Sequence, residues 1–244
     1  MTSSNISQYD DLFKPTKLLS LSKTFLSSLL FLNLTLFTAG GLFSLILAPT
    51  DSQQGEIYRI IYFHVPCAWL TTLLYFGLTI LSGLFLITKN PLLAVVAKSI
   101  AKVGLLFTAL TLITGSLWGA PTWGTYWVWD ARLTSVLVLF FIYLGYLNIV
   151  TLAQKEEQGI KLASIFALIG FINIPIIKFS VDWWNTLHQP ATITKLSMTL
   201  HSSMLVPLNI MAISLTLSAI ILTVYFVRYE LLTKRTRYFN LLNL

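Results

Sequence analysis

Six times along this chain a run of about twenty residues passes with scarcely a charge, and that recurrence restricts the fold more than any other feature. About twenty apolar residues in a helix cross the roughly 30 Å of hydrocarbon in a bilayer. Inside lipid the backbone must satisfy its own hydrogen bonds, so only helices and closed barrels span. A transmembrane barrel would alternate apolar and polar residues along each strand, whereas these runs are continuously apolar. Charged residues make up only 10% of the chain, too few for an ordinary soluble domain. The sequence predicts an all-α integral membrane protein with six transmembrane helices. They lie near Thr24–Ala48, Val65–Thr88, Ile100–Leu117, Leu133–Ala153, Ile160–Ile177 and Ser202–Val227. A membrane domain of residues 24–227 is thus flanked by an N-terminal segment, 1–23, and a tail, 228–244. Pro175 and Pro207 fall inside the last two spans, where neighbouring helices can take up the freed backbone groups.

Six spans leave both termini on one side, and the basic residues choose which. Lys14, Lys17, Lys23, Lys89, Lys98, Lys102, Lys155, Lys161, Arg228, Lys234, Arg235 and Arg237 fall on the terminal side. Only Arg59, Arg132, Lys178 and Lys195 fall on the other. The positive-inside rule then puts both termini in the cytoplasm or a mitochondrial matrix. The net charge of +7 is mostly this asymmetry, with some attraction for anionic lipid; no nucleic-acid partner is expected. The first 23 residues contain Asp10 and Asp11 and no arginine, unlike a transit peptide, and the apolar run starts too late for a secretory signal. The first span is therefore expected to stay as an anchor. A single cysteine, Cys67, excludes an internal disulfide and reads as a small buried residue.

On this topology the rare residues collect on one face. Trp69, Trp118, Trp123, Trp127, Trp129, Trp183 and Trp184, with His64, His188 and His201, all fall in outer loops or at outer span ends. An aromatic belt would populate both interfaces, so anchoring accounts for two or three of the tryptophans rather than all. Residues 118–132 read as an external tryptophan-rich loop, Trp118-Gly-Ala-Pro-Thr-Trp123-Gly-Thr-Tyr126-Trp127-Val-Trp129-Asp130-Ala-Arg132. Its Gly119, Pro121 and Gly124 argue against a long regular helix. Five aromatic side chains there would offer a broad flat platform for a large planar ligand, and a porphyrin is the obvious candidate. Haem iron takes neutral imidazole as an axial ligand. His64 precedes the second span on a helical face with Ile57, Ile60 and Ile61. His188 follows Trp183 and Trp184, so one histidine flanks the platform on each side. A lone interfacial histidine is more often structural; two on the platform's side favour ligation, while His201, without a tryptophan neighbour, is the weaker candidate. Asp130 and Arg132 either orient an imidazole or meet a propionate, or else pair with each other. Arg59, Lys178 and Lys195 are weaker propionate candidates.

These residues carry a resemblance. The run from Trp123 through Asp130-Ala-Arg132 resembles the tryptophan-rich "WWD" signature of haem-handling proteins of cytochrome c maturation. Phe63-His64-Val-Pro66 and Trp183-Trp184-Asn185-Thr-Leu-His188-Gln189 are similar to the two histidine segments of cytochrome c maturation protein C, and the likeness covers nearly the whole chain. Tyr126 stands where Trp or Phe is common. The resemblance implies the System I pathway, with haem b held transiently on the outer face and presented to the haem chaperone, maturation protein E. It also implies axial roles for His64 and His188, a signature of Trp118, Trp123, Trp127, Trp129 and Asp130, and partnership with the ABC transporter proteins A and B and the small membrane protein D. Asn185-Thr-Leu-His188-Gln189-Pro190 and Ile176-Ile177-Lys178-Phe-Ser favour a mitochondrial inner-membrane member over a bacterial one.

Three rivals make different demands. An electron carrier with permanent haem would need histidine pairs within the spans. A transporter for another small molecule would need polar spans, and a structural assembly subunit would bind no pigment. No catalytic base or nucleophile stands out, so no independent catalytic activity is expected, only assistance to covalent attachment of haem to the chaperone.

Overall fold

The computed structural model describes residues 15–184, 187–188 and 202–242. His201, Lys195, Asn185, Gln189 and Pro190 lie outside them. The described chain is helical, with α1 over Pro15–Leu42, α2 over Ile61–Thr88, α3 over Pro91–Trp123 and α4 over Ala131–Leu152. α5 follows over Glu156–Gly170, α6 over Asn173–Trp183 and α7 over Ser202–Leu242. A π-helical turn, Phe43–Leu47, ends α1, and a 3-10 turn, Glu56–Ile60, leads into α2. Six helical stretches are long and apolar enough to cross a membrane, with α5 and α6 together making the fifth. The expected all-α, six-span architecture is what the chain adopts.

The helices outrun the apolar runs because capping, not hydropathy, sets their ends. Lys89 takes a left-handed conformation, φ 56°, and its N–H donates to the Phe85 carbonyl at 2.8 Å, closing α2. Asn90 Oδ1 then accepts from Leu92 N at 2.9 Å, and Pro91 opens α3, where its missing N–H costs nothing. The third span thus starts well before the expected Ile100. Its early lysines are accommodated because Lys98 and Lys102 both reach Glu230 on α7.

The fifth span is broken at Phe171–Ile172. Pro175 has no N–H to return to the Phe171 carbonyl, and its ring crowds that carbonyl; Ile174 N donates there instead, at 3.0 Å. Neighbouring helices hold the break. Asn173 Nδ2 donates to the Ser135 carbonyl at 2.8 Å, and Tyr75 Oη to the Ala167 carbonyl at 2.9 Å.

Two cores result. One gathers α2, α3 and α7 around Phe107, Leu208 and Met211. The other gathers α2–α6 around Tyr75, Leu139 and Tyr143. α1 packs on α7, where Asn33 Nδ2 donates to Ser218 Oγ at 2.8 Å and Ser214 Oγ donates back to Asn33 Oδ1 at 2.9 Å. Where α3 crosses α4, the Tyr143 ring lies on Gly104, and a Cβ there would meet it at 2.3 Å. Tyr143 is fully buried with its hydroxyl bonded to the Thr71 carbonyl, so it has nowhere to retreat. Gly104→Ala is expected to cost about 1–3 kcal/mol through overpacking, read as an earlier thermal unfolding midpoint in detergent. An unchanged midpoint would show that the α3–α4 crossing yields.

Candidate functional site

At one end of the bundle, α3 carries Trp118 and Trp123 through its last turns. The segment expected to be irregular is helical as far as Trp123. Neither supposed breaker interrupts it. A Cβ at Gly119 would lie 2.8 Å from Trp123, so the glycine is a seat for that indole, one turn along. Pro121 lies within the helix two residues before its end, and the Thr122 hydroxyl donates to the Trp118 carbonyl at 2.7 Å. The helix ends at Gly124, whose φ of 76° suits glycine.

Positions five apart on a helix lie about 140° apart around its axis, so Trp118 and Trp123 diverge. Trp118 turns toward α2. Its ring meets His64 edge-on at 5.7 Å and Tyr58 edge-on, also at 5.7 Å. Its Nε1 donates to Gln54 Oε1 at 2.7 Å. Gln54 sits in a tight loop in which Asp51 Oδ1 accepts from the N–H groups of Gln53 and Gln54, so that loop fixes the indole. Trp123 instead faces His188, with ring centroids 6.5 Å apart.

His64 lies inside the first turn of α2 rather than ahead of the span, because the helix starts at Ile61. It is 7% exposed, so the imidazole is sunk between helices instead of lying along the membrane surface. Its Nδ1 is 2.9 Å from Thr114 Oγ1 on α3. The backbone of Gly115 stands against the ring edge, where a Cβ would be 3.1 Å from Cε1. His188 is only half-buried.

Beyond Gly124 the chain runs without regular structure to Asp130. Trp127 and Trp129 meet edge to face at 5.5 Å, and Trp183 and Trp184 at 5.8 Å, while Trp183 stacks on Phe179. The expected single flat platform is therefore a faceted surface, since neighbouring aromatic rings favour edge-to-face contact. Tyr126 and Trp129 are its most exposed members, at 65% and 76%.

Asp130 and Arg132 do not clasp each other; the ion pairs among the described residues join other groups. Asp130 caps α4, its Oδ1 accepting from Leu133 N at 2.7 Å. Arg132 reaches α6, donating to Ser180 Oγ at 3.2 Å and to the Lys178 carbonyl at 3.3 Å. Arg59 is likewise engaged, with Glu56 and with the Ser44 carbonyl. Two buried polar atoms of this segment, Trp127 Nε1 and Asp130 Oδ2, have no protein partner. Buried donors and acceptors are seldom left so, and here they border the faceted surface. One is a donor suited to a carboxylate; the other is an acceptor that needs a donor.

Sequence reasoning missed Thr114, Gly115, Gln54 and Tyr58. The signal available was faint: hydroxyls at Thr108, Thr111 and Thr114, spaced by three within an apolar run.

Comparison with known proteins completes the description. The family model described as "Heme exporter protein C" matches residues 8–241. A "putative cytochrome c biosynthesis ccmC-like mitochondrial protein" of Marchantia polymorpha is 58% identical over 68% of this chain and 70% of its own. "Heme exporter protein C" of Bradyrhizobium diazoefficiens is 46% identical over 93% of this chain and 86% of its own. The Escherichia coli K12 protein of that name is 40% identical over 73% of each.

Proposed function

Because this chain belongs to the heme exporter protein C family, we propose that it holds haem b on the outer face of the membrane and presents it to the haem chaperone, maturation protein E. The coarser role, a multi-pass membrane protein of haem handling in cytochrome c biogenesis working with the other maturation components, follows from family membership. The observation that most supports the finer reading is the pairing of two histidines with two tryptophans at one end of α3. His64 packs on Trp118 and His188 on Trp123.

The chemistry of handover suits their unequal burial. His64 is sunk, hydrogen-bonded and braced, a fixed ligand. His188 is half-exposed on a short segment after α6, a ligand that can let go. Haem between them would lie against the aromatic facets, with Trp127 Nε1 able to donate to a propionate and the remaining Arg132 nitrogen nearby to offset its charge. Neither residue supplies a base or nucleophile; both bind and orient. Maturation proteins A, B and D are the expected further partners. The side carrying both termini is the matrix or cytoplasm on the charge asymmetry, and the name of the Marchantia relative favours a mitochondrial inner membrane.

The test is the visible absorption spectrum of the chain purified in mild detergent, with haem, before and after adding the chaperone. A Soret band of six-coordinate, bis-histidine haem that passes to the chaperone is the expected result. A chain that stays colourless with both added would overturn the reading and leave a transporter or an assembly subunit.

A further inference from the structure

The hydrogen bonds around His64 favour a proton on one of its two nitrogens. Thr114 has a single hydroxyl hydrogen, and the Leu110 carbonyl stands 2.7 Å from its oxygen. A carbonyl only accepts, so this short contact suits a hydroxyl hydrogen directed at it. The Thr111 carbonyl, 3.4 Å from the same oxygen, adds a second acceptor and no donor. With the hydrogen placed there, the Thr114 oxygen is open to accept from the ring, and His64 Nδ1, 2.9 Å away, is placed to donate to it. Nε2 is left with its lone pair free. A free histidine side chain favours the opposite arrangement, which would put a proton where a metal has to bind.

We propose that Thr114 is a positioning residue, whose relay from His64 Nδ1–H through its own hydroxyl to the Leu110 carbonyl holds the imidazole ready to ligate iron through Nε2. The rest of the pocket serves the same end. Gly115, next along α3, lets the ring edge lie on bare backbone. Trp118, one turn beyond Thr114, meets the ring at 78° and is itself tied to Gln54. The ring can neither flip nor swing, and a donor bond from the far nitrogen raises the basicity of the ligating one. The use made of this tautomer rests on His64 being an axial ligand; the tautomer itself does not.

Thr114→Val keeps the shape and removes the hydroxyl, and Thr114→Ser restores it. The full chain, labelled with 15N at histidine and free of haem, reports each tautomer by its ring-nitrogen shifts, with His64→Ala identifying the relevant signals. Wild type and Thr114→Ser are expected to show Nδ1–H at His64, and Thr114→Val a shift toward Nε2–H. With haem bound, Thr114→Val is expected to hold it about tenfold more weakly and at a more positive reduction potential, with both effects reversed in Thr114→Ser. Retention of the Nδ1–H tautomer in Thr114→Val, or its loss in Thr114→Ser, would overturn the proposal. A wild type that takes up no haem would sink the axial-ligand reading, while the haem-free spectra would still decide whether the relay exists.

Discussion

His64→Ala should abolish the six-coordinate haem spectrum and reduce cytochrome c maturation to background in cells that depend on this chain. The expectation follows from position more than residue type. The imidazole is 7% exposed and held by α3 on two sides, through Thr114 and Trp118, so no neighbouring side chain can swing in to replace it. Removing it leaves a pocket of imidazole size with its hydrogen-bond acceptor intact. Added free imidazole should therefore enter, bond to Thr114 and restore much of the Soret band, which separates a lost ligand from a lost fold. On the proposed bis-histidine reading, the haem in His188→Ala is expected to remain as a five-coordinate species, held by His64 alone. A six-coordinate spectrum surviving in His64→Ala without added imidazole would show that this residue does not ligate.

The second large effect is expected at the opposite end of the bundle and concerns stability. Glu230 on α7 is 8% exposed and accepts from Lys98 at 2.9 Å and Lys102 at 2.7 Å. Lys102 also lies over the Phe226 ring at 5.1 Å. Glu230→Ala would leave two ammonium groups facing each other across an apolar surface. Removing one partner of a buried pair costs several kcal/mol; the lysines keep 22% and 26% of their side-chain surface in contact with solvent, so about 2–3 kcal/mol is expected here. A lower midpoint in a denaturing-detergent titration would report it. Replacing all three residues with methionine should recover most of the loss, since the penalty lies in stranded charge rather than in a missing attraction. A wild-type midpoint in Glu230→Ala would show that the lysines find water unaided.

How far these features could be read in the sequence depends on the range of the physics behind each. The six spans were legible because hydropathy is a property of contiguous residues. Their ends were not, since Lys98 and Lys102 look like an interface until Glu230, far along the chain, neutralises them. The same holds for Gly119 and Pro121, which read as breakers by local propensity. In the folded chain the glycine seats Trp123, and the proline falls in the last turn of a helix already anchored along its length. The aromatic and histidine positions of the proposed site stood out as rare residues gathered at the loops and span ends of one expected face. The burial of His64 was not, nor was its bond to Thr114, fifty residues away, because contacts between helices leave no periodic trace.

The clasp between the first and last helices has a consequence for how the protein is made. Asn33 finds its partners in Ser214 and Ser218, 181 and 185 residues later. Ribosomes release the chain from its N-terminus, and early segments settle first. α1 must therefore enter the membrane with a side-chain amide whose partners have not been synthesised, a costly state in hydrocarbon. Throughout translation of the intervening helices that amide has to rest against the insertion machinery, a neighbouring helix or the headgroup region. Only when α7 arrives can these bonds form, so a helix translated long after α1 completes the anchorage of α1.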